Sequence, residues 1–267
     1  MTALCAMMGL NRAGFYRWRW PRPGIPVEME LRDEMQKIAL ESPRYGYRRI
    51  TAELQRRNFD VNHKRILRML REDNLLCVRR RAFVTTTDSR HSLPVYPNLA
   101  RDLQLTAMNQ LWVADITYIR LREEFVYLSV LLDAYSRRVI GWALGQTLEA
   151  ELALSALRMA LLNRRPAPGL VHHSDRGVQY ACHAYTALLK DHEATISMSR
   201  KGNPYDNAAC ESFMKTLKQD EVYRNEYRDF NDALSSIAQF LEVVYNQQRL
   251  HSALGYRPPE EFEKELA

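Results

Sequence analysis

The sequence has few of the residues that build disulfide-rich, zinc-stapled or membrane-spanning proteins. Its 267 residues include 4 cysteines, with no Cys-x-x-Cys pair and no histidine at zinc-finger spacing, so we expect reduced thiols and no structural zinc. The longest apolar runs, such as Val126–Leu132 and Val139–Leu144, are far below the roughly 18 residues of a membrane-spanning helix. The N-terminus also lacks the basic region of a signal peptide. These absences predict a cytoplasmic protein with no membrane partner, and in a bacterium the cytoplasm includes the nucleoid.

Glycine is scarce as well, with 10 residues, whereas 46% of the chain is hydrophobic and 26% is charged. This composition excludes a disordered or fibrous chain and predicts one full core with a second, smaller one. The net charge of +6 is unevenly spread. Residues 1–108 contain 20 Lys and Arg against 11 Asp and Glu (+9), and residues 109–267 contain 18 against 21 (−3). The pattern indicates a basic module that grips polyanionic DNA beside an acidic module that acts on it with metal ions.

The front third shows the apolar spacing of short helices. The predicted helices are Thr2–Trp20, Val27–Glu41, Arg48–Arg57 and His63–Asp73. A short turn, Asn58–Asn62, separates the last two and offers an Asn as helix cap, which is typical of a helix-turn-helix. Basic residues on these two helices, which we predict to contact DNA, are Lys64, Arg65, Arg68, Arg48 and Arg49. The alternative is the solvated face of an ordinary bundle; the neighbouring Arg44, Arg56 and Arg57 favour DNA.

Beyond residue 107 the hydrophobic period changes from that of helices to that of strands. Predicted strands are Leu111–Leu121, Phe125–Asp133, Arg137–Leu144, Leu170–Ser174 and Ala194–Ser199; predicted helices are Glu149–Arg165, Gln179–His192, Ala208–Val222 and Phe230–Gln248. This order is that of an α/β ribonuclease H-like fold with a five-stranded mixed sheet. We therefore predict three parts: a helical DNA-binding region at 1–78, a basic linker at 79–107, and a catalytic core with C-terminal helices at 108–267.

Three acidic residues, Asp115, Asp175 and Glu211, fall at positions that this topology would bring together. Asp115 lies within the first strand, Asp175 follows the fourth, and Glu211 opens a helix. Each has an ordinary alternative role: an exposed strand residue, a turn or helix cap, and a first-turn carboxylate favoured by the helix dipole. Their joint placement favours a site for divalent cations, because Mg²⁺ and Mn²⁺ prefer oxygen ligands. Phosphodiester cleavage or transfer is the chemistry that follows.

Two lysines follow Glu211 along the same face of its predicted helix. Lys215 and Lys218 come four and seven residues later, which is helical spacing. The alternative is a simple Glu–Lys pair, which applies to Lys215 more than to Lys218. We predict that both lysines meet DNA phosphates as they approach the metal site.

Several motifs together resemble those of the transposases of bacterial insertion sequences, in particular the second-reading-frame product of the insertion-sequence-three group. These transposases are relatives of retroviral integrases. The matching blocks are Trp112-Val-Ala-Asp115-Ile-Thr-Tyr118, Asp133-Ala-Tyr-Ser-Arg137 with Gly141-Trp142, His173-Ser-Asp175-Arg-Gly177 with Gln179-Tyr180, Ser199 to Asn207 through Glu211-Ser-Phe213, and Tyr245-Asn246 with Arg249, His251 and Leu254-Gly255-Tyr256. Front-end matches are Arg12 to Trp18 and Tyr45 to Ile50. One departure is Leu250, where members often have proline.

The resemblance implies that Asp115, Asp175 and Glu211 are the family's metal-binding and catalytic triad, with 35 residues between the last two as a hallmark. It implies two-metal polynucleotidyl transfer with Mg²⁺, for which Mn²⁺ substitutes, without a covalent protein–DNA intermediate. Lys218 matches a cation expected to touch terminal DNA. The implied partners are double-stranded DNA, further copies of the chain on that DNA, and an upstream-frame protein or fusion.

Rival interpretations come from two other functional classes. The residues His173 to Arg176 fit the His-x-x-Arg of tyrosine recombinases, with Tyr205 as nucleophile, although that motif belongs on a helix. A retroviral integrase proper would need a His₂Cys₂ zinc module, which Cys5, Cys77 and His63 cannot build. A DNA-binding regulator that kept the fold is the non-enzymatic alternative, and the intact acidic trio argues against it.

Overall fold

The computed structural model of the chain describes residues 7, 25–76, 94–101, 103–200 and 207–266. The contacts divide the chain into two compact units, Met1–Val78 and Arg79–Ala267. Apart from Met7, the predicted helix Thr2–Trp20 lies outside the described residues, as do Cys5 and Cys77. Across the described ranges, every helix is too short or too polar to span a lipid bilayer. Cys182 and Cys210, which are described, are free thiols as expected.

The described part of the front unit contains three helices, α1 (Ile25–Glu41), α2 (Tyr47–Arg56) and α3 (His63–Glu72), close to the predicted bounds. Their apolar faces meet in a small core formed by Leu31, Met35, Ile38, Ile50, Leu54, Ile66, Met69 and Leu70. The Asn62 side chain caps α3 by accepting a 2.8 Å hydrogen bond from the Lys64 backbone N–H. This cap fixes where α3 begins after the turn, so α2 and α3 form the expected helix-turn-helix arrangement.

Arg57 ties the helices of the front unit together instead of facing outward. Its guanidinium contacts Glu34 at 3.0 Å and Glu41 at 2.8 Å, both on α1, and Glu53 at 3.1 Å on α2. Three carboxylates offset this charge, so Arg57 adds less to the basic field of the front unit than the sequence alone suggests. Arg32 ties α1 to the end of α3 in the same way through Glu72 and Asp73.

The second unit is built on a five-stranded mixed sheet. Its strands are β1 (Leu111–Arg120), β2 (Phe125–Asp133), β3 (Val139–Gly145), β4 (Val171–Ser174) and β5 (Thr195–Met198), in the order β3-β2-β1-β4-β5. β1 to β3 form an antiparallel meander, and β4 lies parallel to both β1 and β5. The predicted strand order and the parallel placement of the fourth strand beside the first are confirmed.

Helices cover both faces of the sheet. The remaining helices are α4 (Ala150–Arg164), α5 (Val178–Ala181), α6 (His183–Asp191), α7 (Ala208–Leu217), α8 (Phe230–Gln239) and α9 (Pro259–Lys264). One core joins Trp112 and Ala114 of β1 to α4 and α6, and the other joins Leu111 and Val113 to α7 and α8. Because side chains alternate along a strand, Asp115 shares the face of Leu111 and Val113. That face is the one covered by α7, the helix of Glu211.

The helical segments differ from the prediction in three places. The predicted helix Gln179–His192 is broken into α5 and α6 by Cys182, whose backbone is extended. The Tyr180 and Tyr185 rings, on either side of the break, meet edge to face at 5.3 Å between centroids. α7 and α8 continue as π-helix over Lys218–Val222 and Phe240–Gln248. Helix α9 was not predicted, although Pro259 at its first turn is a known start signal.

Part of the predicted linker packs on the edge of the sheet. The Met198 backbone N–H donates to the Pro97 carbonyl at 3.3 Å, and the Leu99 N–H donates to the Ser197 hydroxyl at 2.8 Å. Tyr96 and Ala100 also pack against the two cores of this unit. Residues 94–101 therefore protect the outer edge of β5, which would otherwise expose unpaired backbone groups.

Gly141 allows β3 to lie directly on α4, and we predict that Gly141→Ala destabilises the protein. A Cβ atom there would lie 2.3 Å from the Ala156 carbonyl oxygen and 2.8 Å from the Ala160 Cβ. Since a backbone atom cannot move aside as a side chain does, the expected loss is at least about 2 kcal/mol, measured by urea unfolding. Gly46→Ala is the control, because nothing lies within 4 Å of its Cβ position. Equal stability of the two variants would contradict the close approach.

Candidate active site

Asp115 on β1 and Asp175, the first residue after β4, lie at the same level of the sheet. The parallel pairing of β1 and β4 sets Val113 opposite His173, and each aspartate comes two residues later. The Ile116 N–H donates to Asp115 Oδ1 at 2.9 Å, and the Gly177 N–H donates to Asp175 Oδ1 at 2.9 Å. These backbone bonds fix the direction of each carboxylate.

The electrostatic environment of Asp115 joins all three predicted acidic residues. Burial raises the pKa of Asp115 to about 7, with a further increase from the charge of Asp175 and a smaller one from Glu211. The Ile116 N–H and the ammonium of Lys218 act in the opposite direction but do not outweigh these effects. Like charges held close to a buried carboxyl are the arrangement expected at a site that binds a divalent cation.

Glu211 lies in the first turn of α7, and the residue as a whole is exposed. Its carboxyl group is partly shielded from water, which raises the pKa of that group. Its effect on Asp115 is weaker than that of Asp175. Within the described ranges, no three His, Cys, Asp or Glu side chains are close enough to form a ready metal-binding group. The two aspartates are thus fixed by the sheet, and Glu211 approaches them from a separate helix. Joint binding of a metal by the three carboxylates stays a prediction.

The ammonium of Lys218 interacts with Asp115, whose pKa it lowers. Burial lowers the pKa of Lys218, and Asp115 partly offsets this decrease. The ammonium also lies over the Tyr118 ring of β1, 4.9 Å from its centroid, which is a cation–π contact. Lys215 is exposed one turn after Glu211. The sequence pattern predicted the lysine face but not the aromatic ring that holds Lys218.

His173 and Arg176, on either side of Asp175, both bind Ser199. The His173 ring nitrogens lie 2.8 Å from the Ser197 hydroxyl and 2.9 Å from the Ser199 hydroxyl. The Arg176 Nε–H donates to the Ser199 carbonyl at 2.8 Å. His173 is on a strand and fully buried, which disfavours the tyrosine-recombinase interpretation; its nucleophile, Tyr205, lies outside the described residues.

A buried aromatic cluster beneath the aspartates was missed by sequence reasoning. Burial lowers the pKa of His172 to about 3, so the ring is neutral, and its Nε2 lies 2.9 Å from the Tyr185 hydroxyl. Burial also raises the pKa of Tyr180, with contributions from Tyr185, Asp115 and Asp175. Tyr180 therefore lies close enough to the site to sense its charge. Its place in the Gln179-Tyr180 motif was the available signal.

In the front unit, the predicted DNA-contacting residues differ in exposure and partners. Arg48 is exposed over the Tyr47 ring at 5.3 Å, and Lys64 is exposed at the start of α3. Arg49 lies over Tyr45, Arg65 lies 3.9 Å from Glu28, and Arg68 lies 3.5 Å from Glu72. The Tyr47 and His63 rings, 6.1 Å apart, set the starts of α2 and α3 side by side. Arg48 is at the start of α2 and Lys64 is at the start of α3, so these two basic residues belong to neighbouring helix starts.

Comparisons with known proteins agree with this geometry. The family "Integrase core domain" matches residues 106–204, a second family of that description matches 192–259, and "HTH-like domain" matches 26–83. The "Insertion element IS600 uncharacterized 31 kDa protein" of Shigella sonnei is 39% identical over 97% of each chain. "Transposase InsF for insertion sequence IS3A" of Escherichia coli (strain K12) is 36% identical over 100% of this chain and 95% of the relative. The chain belongs to the IS3 family of transposases.

Solved structures similar to this IS3-family chain include the catalytic core domain of BIV integrase. It is 19% identical, covers 59% of this chain and 95% of the other, and gives a TM-score of 0.45. The HTLV-2 integrase catalytic core domain in complex with magnesium is 13% identical, covers 58% and 95%, and gives 0.43. The assignment of a ribonuclease H-like fold to the IS3-family chain is based on its strand order and on its match to the integrase core family.

We predict that Asp115→Asn stabilises the metal-free protein, and more so as the pH rises. Below about pH 4 the carboxyl is protonated in both folded and unfolded states. Between about pH 4 and pH 7 the unfolded state ionises while the folded state resists, so the parent protein loses stability that the variant keeps. The expected gain by pH 8 is on the order of 2 kcal/mol, measured by thermal unfolding with a chelator.

Asp133→Asn is the matched control, because Asp133 is also a buried carboxylate whose pKa is raised by burial, and it lies at the end of β2 opposite Trp112 of β1. It accepts backbone N–H bonds from Asn109 at 2.6 Å, Tyr135 at 2.9 Å and Ser136 at 3.0 Å. An amide cannot accept all three, so this variant loses stability. A destabilising effect of both substitutions would mean that Asp115 is an ordinary structural carboxylate.

Proposed function

We propose that this chain is a metal-dependent polynucleotidyl transferase that cuts and joins the ends of its own insertion sequence. The observation that carries the proposal is the position of Asp115 on β1 and of Asp175 just beyond the parallel strand β4, with Glu211 in the first turn of the helix that covers the same face of the sheet. Its membership in the IS3 family supplies the reaction class, because the relative InsF is named as a transposase. A transposase acts where the DNA is, so we assign the chain to the bacterial cytoplasm.

The residues fit a pair of Mg²⁺ ions, or Mn²⁺ in their place. Asp115, Asp175 and Glu211 offer only carboxylate oxygens, the ligands that these hard cations prefer. Two such ions would activate the attacking oxygen and stabilise the leaving oxygen of an in-line phosphoryl transfer. The HTLV-2 core, solved in complex with magnesium, is a structural relative of this chain.

The protein's own groups orient the reactants. Backbone N–H groups of Ile116 and Gly177 set the directions of the two aspartates. Lys218, held over Tyr118 next to Asp115, supplies a positive charge where a DNA phosphate would arrive. Its half-buried position favours contact with terminal DNA at the site.

The front unit would bind the element ends through its helix-turn-helix. Arg48, Arg49, Lys64, Arg65 and Arg68 are the proposed DNA contacts, with α3 as the helix that enters the major groove. Pairing two ends requires more than one copy of the chain on the DNA. An upstream-frame protein or fusion is a further proposed partner.

The test of the reaction is metal-dependent nicking of duplex DNA that carries the element ends. Nicking by the full chain, alone and with the upstream frame supplied, should need Mg²⁺ or Mn²⁺ and stop with a chelator. Asp115→Asn, Asp175→Asn and Glu211→Gln should each reduce the rate by at least about 100-fold, because each removes a charged oxygen ligand.

Glu151→Gln controls for Glu211→Gln. Glu151 is also an exposed first-turn carboxylate, but it lies on α4, on the opposite face of the sheet. It should keep the parent's nicking rate. Specific DNA binding without nicking in every format would favour the regulator, and nicking that survives Asp115→Asn would refute the proposed site.

We also predict that Tyr118 helps Lys218 to bind terminal DNA. Lys218→Ala should weaken binding of element-end DNA and reduce the slope of log affinity against log salt concentration by about 1, as expected for one lost phosphate contact. Tyr118→Leu, which removes the ring under the ammonium, should weaken binding part of the way. Tyr118→Phe keeps the ring face and should keep the parent's affinity; equal losses in the Leu and Phe variants would exclude the cation–π contact.

A further inference from the structure

Asn207 stands at the start of α7, four residues before Glu211, and its side chain does not cap that helix. The residue immediately before a helix usually accepts a hydrogen bond from a backbone N–H of the first turn. Asn207 makes no such bond. Its Nδ2 instead donates to the Ala114 carbonyl oxygen on β1, at 3.2 Å. The amide therefore links the start of the Glu211 helix to the residue next to Asp115.

The orientation of this amide is set by its neighbour. The Ala114 carbonyl can only accept, so the NH₂ group of Asn207 must face it and the Oδ1 must face away. Asn207 is only 8% exposed, and its Oδ1 has no hydrogen-bond partner among the described residues. A buried amide that uses one of its two polar groups is poorly explained by fold stability alone, because the unpaired oxygen is costly.

Asn246 shows what a buried structural asparagine does in this protein. It is 6% exposed, and both of its polar groups bind one strand residue: Oδ1 accepts from the Val139 N–H and Nδ2 donates to the Val139 carbonyl, each at 2.9 Å. It lies on the π-helical segment after α8. Asn207 and Asn246 therefore share residue type, burial and a strand carbonyl as partner, but only Asn207 lies beside the carboxylates.

Repulsion between the three carboxylates explains why a link between α7 and β1 is needed. The ionised carboxylates of Asp115, Asp175 and Glu211 carry like charges and repel one another, and the strand pairing that holds the two aspartates does not include the start of the Glu211 helix. A neutral amide can hold the start of α7 against β1 without adding to that repulsion. We propose that Asn207 is a positioning residue that sets the distance of Glu211 from the two aspartates and thereby the affinity of the site for divalent cations; this rests on the metal site proposed above.

The experiment measures Mn²⁺ binding by the full chain without DNA, as the rise in thermal unfolding temperature with Mn²⁺ concentration. Asn207→Ala should raise the Mn²⁺ concentration needed for half of the full rise by about five- to tenfold, as expected when one hydrogen bond that orders a ligand is lost. Asn207→Ser keeps a good helix-starting residue but is too short to reach the Ala114 carbonyl, so it should give the same increase.

Asn246→Ala is the matched control. It should lower the unfolding temperature without metal but leave the half-maximal Mn²⁺ concentration within about twofold of the parent's. The concentration for half-maximal nicking should follow the same order among the variants. Asn207 variants that fold and bind Mn²⁺ like the parent, or an equal change in Asn246→Ala, would overturn the positioning role. Absence of any Mn²⁺ effect on the parent would instead refute the proposed metal site.

Discussion

Repulsion between carboxylates is the constraint on which the second unit is built. Burial and the charge of Asp175 raise the pKa of Asp115 to about 7, and the opposing effect of Lys218 is too small to restore its ordinary value. The strand that carries Asp115 therefore holds it in place, because burial and the charge of Asp175 both disfavour the ionised carboxylate. The parallel pairing of β1 with β4 supplies the framework for the aspartates, because strand register is fixed by many backbone bonds at once. Glu211 has no share in this pairing, so its helix needs separate ties.

The rest of the unit stiffens the sheet that carries the aspartates. Asn246 binds the backbone of Val139 on β3, and Gly141 lets α4 press against the same strand. Glu263 of α9 is 5% exposed; burial raises its pKa, but hydrogen bonds from Arg164, Ser136 and Arg138 outweigh this and lower it. The ionised carboxylate thus ties the C-terminal helix to α4 and to the turn between β2 and β3. A buried ion pair of this kind gives uncertain stability, yet losing either partner is costly, so the helix is held in one place.

The order of the elements could be predicted from sequence because the hydrophobic period itself changes from helix to strand after residue 107. The pairing of Asp115 with Asp175 followed from topology, since a parallel fourth strand must place them at one level. What could not be predicted depends on contacts between distant residues. The Asn207–Ala114 hydrogen bond, for example, joins residues 93 positions apart. No local pattern distinguishes an asparagine that caps its helix from one that reaches a strand.

The sequence also could not show which basic side chains of the front unit are compensated by carboxylates. The unit's surplus of basic residues predicts binding to a polyanion, but net charge does not say which side chains face outward. Arg57 is surrounded by Glu34, Glu41 and Glu53, and Arg32 by Glu28, Glu72 and Asp73. These arginines and their carboxylates cancel within the unit and fix α1 against α2 and α3. The exposed Arg48 and Lys64, at the starts of adjacent helices, therefore carry more of the outward field than their share of the total charge implies. In both units, then, ion pairs between helices hold the scaffold, and the charges proposed to act on DNA and metal ions are ones that this scaffold does not fully compensate.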